Sequence, residues 1–168
     1  MGREASQWTE PLQAAVAAFF VVSAVVNLVL IVGFGDLYRQ YYTQVYLRAQ
    51  QLPTDRIAAT VDSTMSVSIG ISIAIAAAYL LLAALTFFRR ATWLFIVDMI
   101  VLFLAGAPSL LGGVINLAFP SRASLPQVFG FTQLVLALVA LSLFILMVGL
   151  SIRYGAWAQH RAVPVPTE

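Results

Sequence analysis

The chain has 168 residues, of which 61% are hydrophobic and 10% are charged, and its formal net charge is +2. A soluble domain is typically about one quarter charged and about half apolar, so this composition excludes an ordinary soluble domain and a disordered chain. It indicates a single-domain integral membrane protein. No basic cluster is larger than Arg89-Arg90, which argues against nucleic-acid binding.

Four apolar stretches are long enough to cross the hydrocarbon core of a bilayer, which is about 30 Å thick, as α-helices. They cover residues 12–34, 65–88, 91–118 and 128–152. Polar and apolar residues alternate early in the second stretch, which is typical of a β-strand. The apolar run continues too far for a strand, and an open strand in lipid would leave its backbone unsatisfied. We therefore predict an all-α membrane protein, a four-helix bundle over residues 1–158 with a flexible tail at 159–168.

Residues 35–64 form the longest connection between spans, and their pattern predicts an amphipathic helix. Its apolar face carries four tyrosines at helical spacing, Tyr38, Tyr41, Tyr42 and Tyr46. Tyrosine suits the lipid headgroup zone, so this helix is either an interfacial anchor, which we favour, or a docking site for a partner. Pro53 ends the helix, and a new helix capped by Thr54 is expected to run on into the second span.

The third span contains residues that disfavour a straight helix. Gly106, Pro108, Gly112 and Gly113 lie in its second half. Proline removes one backbone hydrogen bond and kinks a helix, so we predict a break there, with residues 110–119 tilted along the membrane surface.

Arginine placement predicts the orientation. Four spans put both termini and the middle connection on one side of the membrane, and Arg89, Arg90 and Arg153 directly adjoin span ends on that side. By the positive-inside rule this side is cytoplasmic, and residues 35–64 lie outside. All nine basic residues are arginine, which is typical of GC-rich bacterial genomes and favours a bacterial cytoplasmic membrane.

Asp98 is the one ionisable residue inside a predicted span. A carboxyl group at this depth is costly, and it marks either a proton or ion path or a buried hydrogen-bonded pair. The apolar neighbours at helical spacing on its own helix, such as Leu94 and Leu102, offer no polar partner, so a partner must come from another helix or from water. The span amides Asn27, Asn116 and Gln133 are interpreted as hydrogen-bonding contacts between helices.

A stripe of small residues follows one face of the second span and consists of Ser66, Gly70, Ala74 and Ala78. Small side chains let membrane helices approach closely, so the stripe predicts a helix-packing seam. We favour packing inside the bundle, and the alternative is a contact with a second copy or another membrane protein.

The sequence carries no recognisable catalytic motif. It has no cysteine and one histidine, His160 in the tail, and it lacks a nucleophile–histidine–acid set, a phosphate-binding loop and a paired acidic metal motif. We therefore expect no enzyme activity, no cofactor and no metal. The favoured hypothesis is a non-catalytic accessory, assembly or scaffold subunit that binds other membrane proteins or itself, and the alternative is a small oligomeric proton-coupled transporter or channel that uses Asp98.

Overall fold

The computed structural model describes residues 3–5, 7–49, 53–118 and 127–161. In these ranges the chain forms five α-helices, α1 (Thr9–Gly33), α2 (Gly35–Ala49), α3 (Thr54–Phe88), α4 (Thr92–Ala118) and α5 (Gln127–Tyr154), and two short strands, β1 (Arg3–Ala5) and β2 (Gln159–Arg161). The helices α1, α3, α4 and α5 are long and apolar enough to cross a membrane. The prediction of a helical protein with four membrane-length helices is confirmed.

The second span is part of a much longer helix than the apolar stretch alone. Helix α3 has 35 residues and is continuous from Thr54 to Phe88, as the sequence predicts. Its length of about 52 Å exceeds the bilayer core by roughly 20 Å. Pro53 occupies the N-cap position, so Thr54 is the first helical residue and not the cap.

Helix α4 is continuous through Pro108, so the predicted break in the third span does not occur. A proline removes one backbone hydrogen bond and crowds the preceding turn, but membrane helices tolerate it where local adjustments satisfy the freed carbonyl group. The end of the segment that we expected to tilt, Phe119, lies outside the described residues.

The long helices associate mainly as two pairs, α1 with α3 and α4 with α5. We call the end at which α1 and α4 begin and α3 and α5 end the terminal end of the molecule, because the two ends of the described chain lie there. The main apolar core lies there, and its fully buried members include Val16, Phe20, Leu94, Leu102, Ala140, Met147 and Trp157.

Glycine allows the close approach of α4 and α5. A Cβ on Gly113 would lie 3.0 Å from the carbonyl oxygen of Gly130 and 3.1 Å from the amide nitrogen of Leu134. A Cβ on Gly106 would lie 2.7 Å from Cγ of Leu141. These glycines, which we had interpreted as helix breakers, are contact points between helices.

Helix α2 packs along the first half of α3. Ile57, Val61 and Met65 of α3 form a second buried cluster, against which Tyr38, Tyr42 and Tyr46 of α2 and Ile69 of α3 pack. The hydroxyl groups of Tyr46 and Thr64 are 3.0 Å apart, and an exposed ion pair joins Arg39 and Asp62 at 3.3 Å. Helix α2 therefore lies beside the first half of α3.

The two ends of the described chain meet at the terminal end. Strands β1 and β2 pair antiparallel, with Arg3 opposite Arg161. Gly155, at a φ of 84°, ends α5 and redirects the chain toward this pairing. Residues 159–168 are predicted to form a flexible tail, but Gln159–Arg161 form strand β2; residues 162–168 lie outside the described residues.

Candidate functional site

Asp98 is completely buried at the terminal end of the helices. Its Oδ2 accepts a hydrogen bond of 2.7 Å from the hydroxyl group of Thr86, which is also completely buried. Its Oδ1 has no hydrogen-bond partner among the described residues. The carboxyl group therefore has one partner on a neighbouring helix, as a buried polar group requires.

A network of polar contacts connects this pair to the surface. The side-chain Nε2 of Gln13 donates to the backbone carbonyl groups of Thr86 at 3.0 Å and of Arg89 at 3.3 Å. Arg90 donates to Oε1 of Gln13 and forms an exposed ion pair with Glu10. The last carbonyl groups of a helix lack partners within it. Gln13 supplies a partner for that of Thr86, in the last turn of α3, and for that of Arg89, the residue after the helix.

Trp157 contacts the short connection between α3 and α4, next to the end of α3 that Gln13 contacts. Its side chain is completely buried, and its Nε1 donates to the carbonyl group of Ala91 at 3.0 Å. Its ring packs edge-on against Phe95, with 5.3 Å between the ring centroids. The residue has a φ of 56°, a conformation that is strained for a non-glycine residue and that these contacts maintain.

A cavity of about 220 Å³ lies farther from the terminal end, between the four membrane-length helices and α2. Asn27 and Gln133, which the sequence analysis assigned to contacts between helices, both line it. They are joined by four further polar side chains, Ser23, Tyr38, Tyr79 and Ser109. The side chain of Asn116 lies outside the described residues.

The cavity and Asp98 are separated by apolar residues. Leu102 lies on α4 between Asp98 and Ala105, which lines the cavity, and it is completely buried. On α3, the buried Ala83 lies between Thr86 and Tyr79. Seven residues of helix correspond to about 10 Å, so the cavity and the carboxyl group are distinct polar sites.

The predicted small-residue stripe does not pack inside the chain. Ser66, Gly70, Ala74 and Ala78 are all exposed, and a Cβ on Gly70 would meet no atom within 4 Å. The neighbouring face of α3 packs inward instead, through Met65, Ala76 and Ala83. Our preference for packing within the bundle was therefore wrong.

The tyrosines of α2 divide between two environments. Tyr42 and Tyr46 pack on α3, and Tyr38 packs on α3 and on Phe129 of α5, with 5.2 Å between the ring centroids. Tyr41 contacts Tyr42 edge-on. Burial, and secondarily the neighbouring Tyr42, raise the pKa of Tyr38 above that of an ordinary tyrosine, so its hydroxyl group is neutral at physiological pH.

Sequence reasoning missed three residues of the terminal end, Gln13, Thr86 and Trp157. Each acts through the tertiary arrangement, because it hydrogen-bonds a residue that lies 12 to 73 positions away in the chain. The sequence offers one signal for such residues, a polar residue within an apolar run, and this signal identified Asp98 but not its partner Thr86.

No family model, curated protein or solved structure matches this chain. Among the residues that the structure describes, no group of three or more histidine, cysteine, aspartate or glutamate side chains is placed to hold a metal ion. The interpretation of the site therefore depends on its own geometry.

Proposed function

We propose that this chain is a non-catalytic accessory, assembly or scaffold subunit of a complex in a bacterial cytoplasmic membrane. In this proposal the four membrane-length helices form one bundle, both termini are cytoplasmic, and α2 is an amphipathic helix on the outer side. The partner is another membrane protein or a second copy of the chain.

The outward position of the small-residue stripe on α3 is the observation that supports this proposal. Small residues are favoured where helices touch, because lipid chains give apolar helices no solvent-driven reason to associate. In the most apolar 18-residue stretches of α3 and α5 only 17% of the residues are buried, against 39% in α1. On α3 the exposed residues include the whole small-residue stripe. Helix α3 therefore offers a long, close-packing face that the chain itself does not use.

The contacts of Asp98 also favour a structural role over transport. Its carboxyl group bonds to Thr86, and the apolar residues Leu102 and Ala83 lie between this pair and the cavity. A proton carrier needs a polar or hydrated route on each side. The unpartnered Oδ1 of Asp98 is the one observation that favours the alternative, a proton-coupled transporter or channel.

Site-specific photocrosslinking in the native membrane tests the proposal. A photoreactive residue at Ala74 on the stripe should form an adduct with another polypeptide, and the same residue at Ile145 should not, although both positions are exposed. An adduct of the chain with itself would identify a homo-oligomer, and a different mass would identify a partner subunit. Crosslinking to lipid alone at both positions would refute the proposal.

A further inference from the structure

The polar cavity between the long helices has the features of a binding site. All four membrane-length helices and α2 contribute to its lining, including six polar side chains, Ser23, Asn27, Tyr38, Tyr79, Ser109 and Gln133. Polar groups that converge among apolar helices need hydrogen-bond partners, because apolar side chains and lipid chains provide none.

One of these groups lacks a partner within the described part of the chain. Ser23 is 6% exposed, and its Oγ has no hydrogen-bond partner there, although it lines the cavity. A buried hydroxyl group without a partner is unfavourable and is rare in native proteins. A molecule in the cavity would supply the partner of Ser23.

The lining selects for a neutral molecule. Its described residues include no arginine, aspartate or glutamate, and its tyrosine at the α2 end, Tyr38, stays protonated at physiological pH. An ion would lose its hydration here without gaining a counter-charge. The hydroxyl and amide groups all donate hydrogen bonds, so carbonyl or hydroxyl oxygens on a ligand would match them.

The size of the cavity limits the ligand to about one ring. An apolar cavity of about 150 Å³ is sufficient to bind benzene, and this cavity has about 220 Å³. Beside the polar groups lie Phe19, Ile75 and Leu136, which can contact the faces and edges of a ring. A substituted six-membered ring therefore fits both the volume and the lining.

We propose that the cavity binds a neutral six-membered ring that carries carbonyl or hydroxyl oxygens, with Ser23 as one hydrogen-bond donor. The ring is either the head group of a membrane-dissolved quinone or a free molecule of the same chemistry. This inference goes beyond the role as a subunit, and either proposal can fail without the other.

Binding of two matched probes to the wild-type protein in lipid nanodiscs tests the inference. The probes are trimethyl-p-benzoquinone and the same ring carrying a decyl chain, with empty nanodiscs as the blank. The chain has no cysteine and no lysine, so the usual covalent reactions of quinones with these side chains do not interfere. Saturable binding that needs the decyl chain identifies a lipid ligand, and equal binding of both probes identifies a free molecule.

Three variants locate the binding. Ala105→Phe fills the cavity from α4 and should abolish binding, whereas Ala84→Phe, on an exposed face of α3, should leave it unchanged. Ser23→Ala should weaken binding roughly two- to tenfold, the loss expected for one hydrogen bond, without lowering thermal stability. Because Ser23→Ala removes an unpaired group, it tests the site even if Ala105→Phe fails to fold. Absence of saturable binding to the folded wild type, or wild-type affinity of folded Ala105→Phe or of Ser23→Ala, would overturn the inference.

Discussion

Asp98 illustrates how a carboxyl group is accommodated among apolar helices. The hydroxyl group of Thr86 approaches its Oδ2 to 2.7 Å, and the main chain at Thr86 is in turn held by Gln13. Three helices, α1, α3 and α4, thus meet around one polar contact. Such a contact specifies which helices pack together, because an alternative arrangement would leave the carboxyl group without its donor.

We predict that Asp98→Asn folds and unfolds at nearly the wild-type temperature, because its amide oxygen can still accept from Thr86. Thr86→Val should destabilise the protein by about 1–3 kcal/mol, because it leaves a buried carboxyl group without a donor. Thermal unfolding of the two variants in mild detergent, followed by circular dichroism, measures both effects. The transporter alternative instead predicts that Asp98→Asn folds normally and loses pH-dependent flux in proteoliposomes.

At the scale of elements, the two kinds of small-residue pattern have opposite roles. Gly113 of α4 lies against the backbone of α5, where a Cβ would lie 3.0 Å from a carbonyl oxygen, whereas Gly70 of α3 faces open space. Both glycines lie within helices, where glycine is less favourable than alanine by about 0.5–1 kcal/mol. Whether a glycine-to-alanine substitution gains this free energy depends on the space around the added Cβ.

Alanine substitutions at these two glycines should therefore have opposite signs. Gly113→Ala should lower the stability by about 1–3 kcal/mol, because its Cβ would press on backbone atoms of Gly130 and Leu134 that cannot move separately. Gly70→Ala should raise the stability of the isolated chain by up to about 1 kcal/mol. Denaturation of the purified protein measures both changes, and a destabilising Gly70→Ala in the isolated chain would contradict the outward position of the stripe.

Helix α2 is the shortest and most polar of the five described helices. Its attachment to α3 depends on aromatic rings, since its ion pair between Arg39 and Asp62 is exposed and such pairs contribute about 0–1 kcal/mol. The tyrosine rings thus hold α2 against α3. This attachment does not depend on contacts of the opposite face of α2 with lipid or a partner.

We predict that Tyr46→Ala releases α2 from α3. Amide hydrogen exchange in α2 should accelerate markedly, because the ring leaves the cluster around Val61 and the hydroxyl contact with Thr64 is lost. Val45→Ala, on the exposed face of the same helix, is the matched control and should change exchange little. If α2 is held mainly by lipid contacts, the order of the two effects will be reversed.

On the scale of the whole molecule, the two ends of the described chain and the α3–α4 connection lie together. Strand β1 pairs with β2, Gln13 binds the end of α3, and Trp157 binds the start of the next segment at Ala91. If each of the four membrane-length helices crosses the bilayer once, both ends of the chain and the α3–α4 connection must lie on the same side of the membrane. Arginine placement predicts that this end lies on the cytoplasmic side of the membrane.

Single cysteines test that orientation, since the chain has no native cysteine. Gln7→Cys and Gln44→Cys place exposed thiols near the terminal end and on α2, respectively. An impermeant maleimide should label position 44 in intact cells and position 7 only after the cells are permeabilised. The opposite pattern would reverse the predicted topology.

The sequence by itself determined the number of long helices, their approximate limits and the continuity of α3 from Thr54 into the second span. These properties depend on local composition, because about 20 apolar residues must form a helix to satisfy their backbone in lipid. It also identified Asp98, since an acidic residue in an apolar run is visible without knowledge of its neighbours.

Only the tertiary structure decided which faces of these helices meet. A membrane helix is apolar all round, so hydrophobicity does not distinguish the buried face from the lipid-facing one, and the stripe at Gly70 was assigned to the wrong side. The same limitation concealed the contact at Gly113, the partnership of Asp98 with Thr86 and the cavity around Ser23. Each of these features depends on residues that are distant in sequence and adjacent only after the helices have packed.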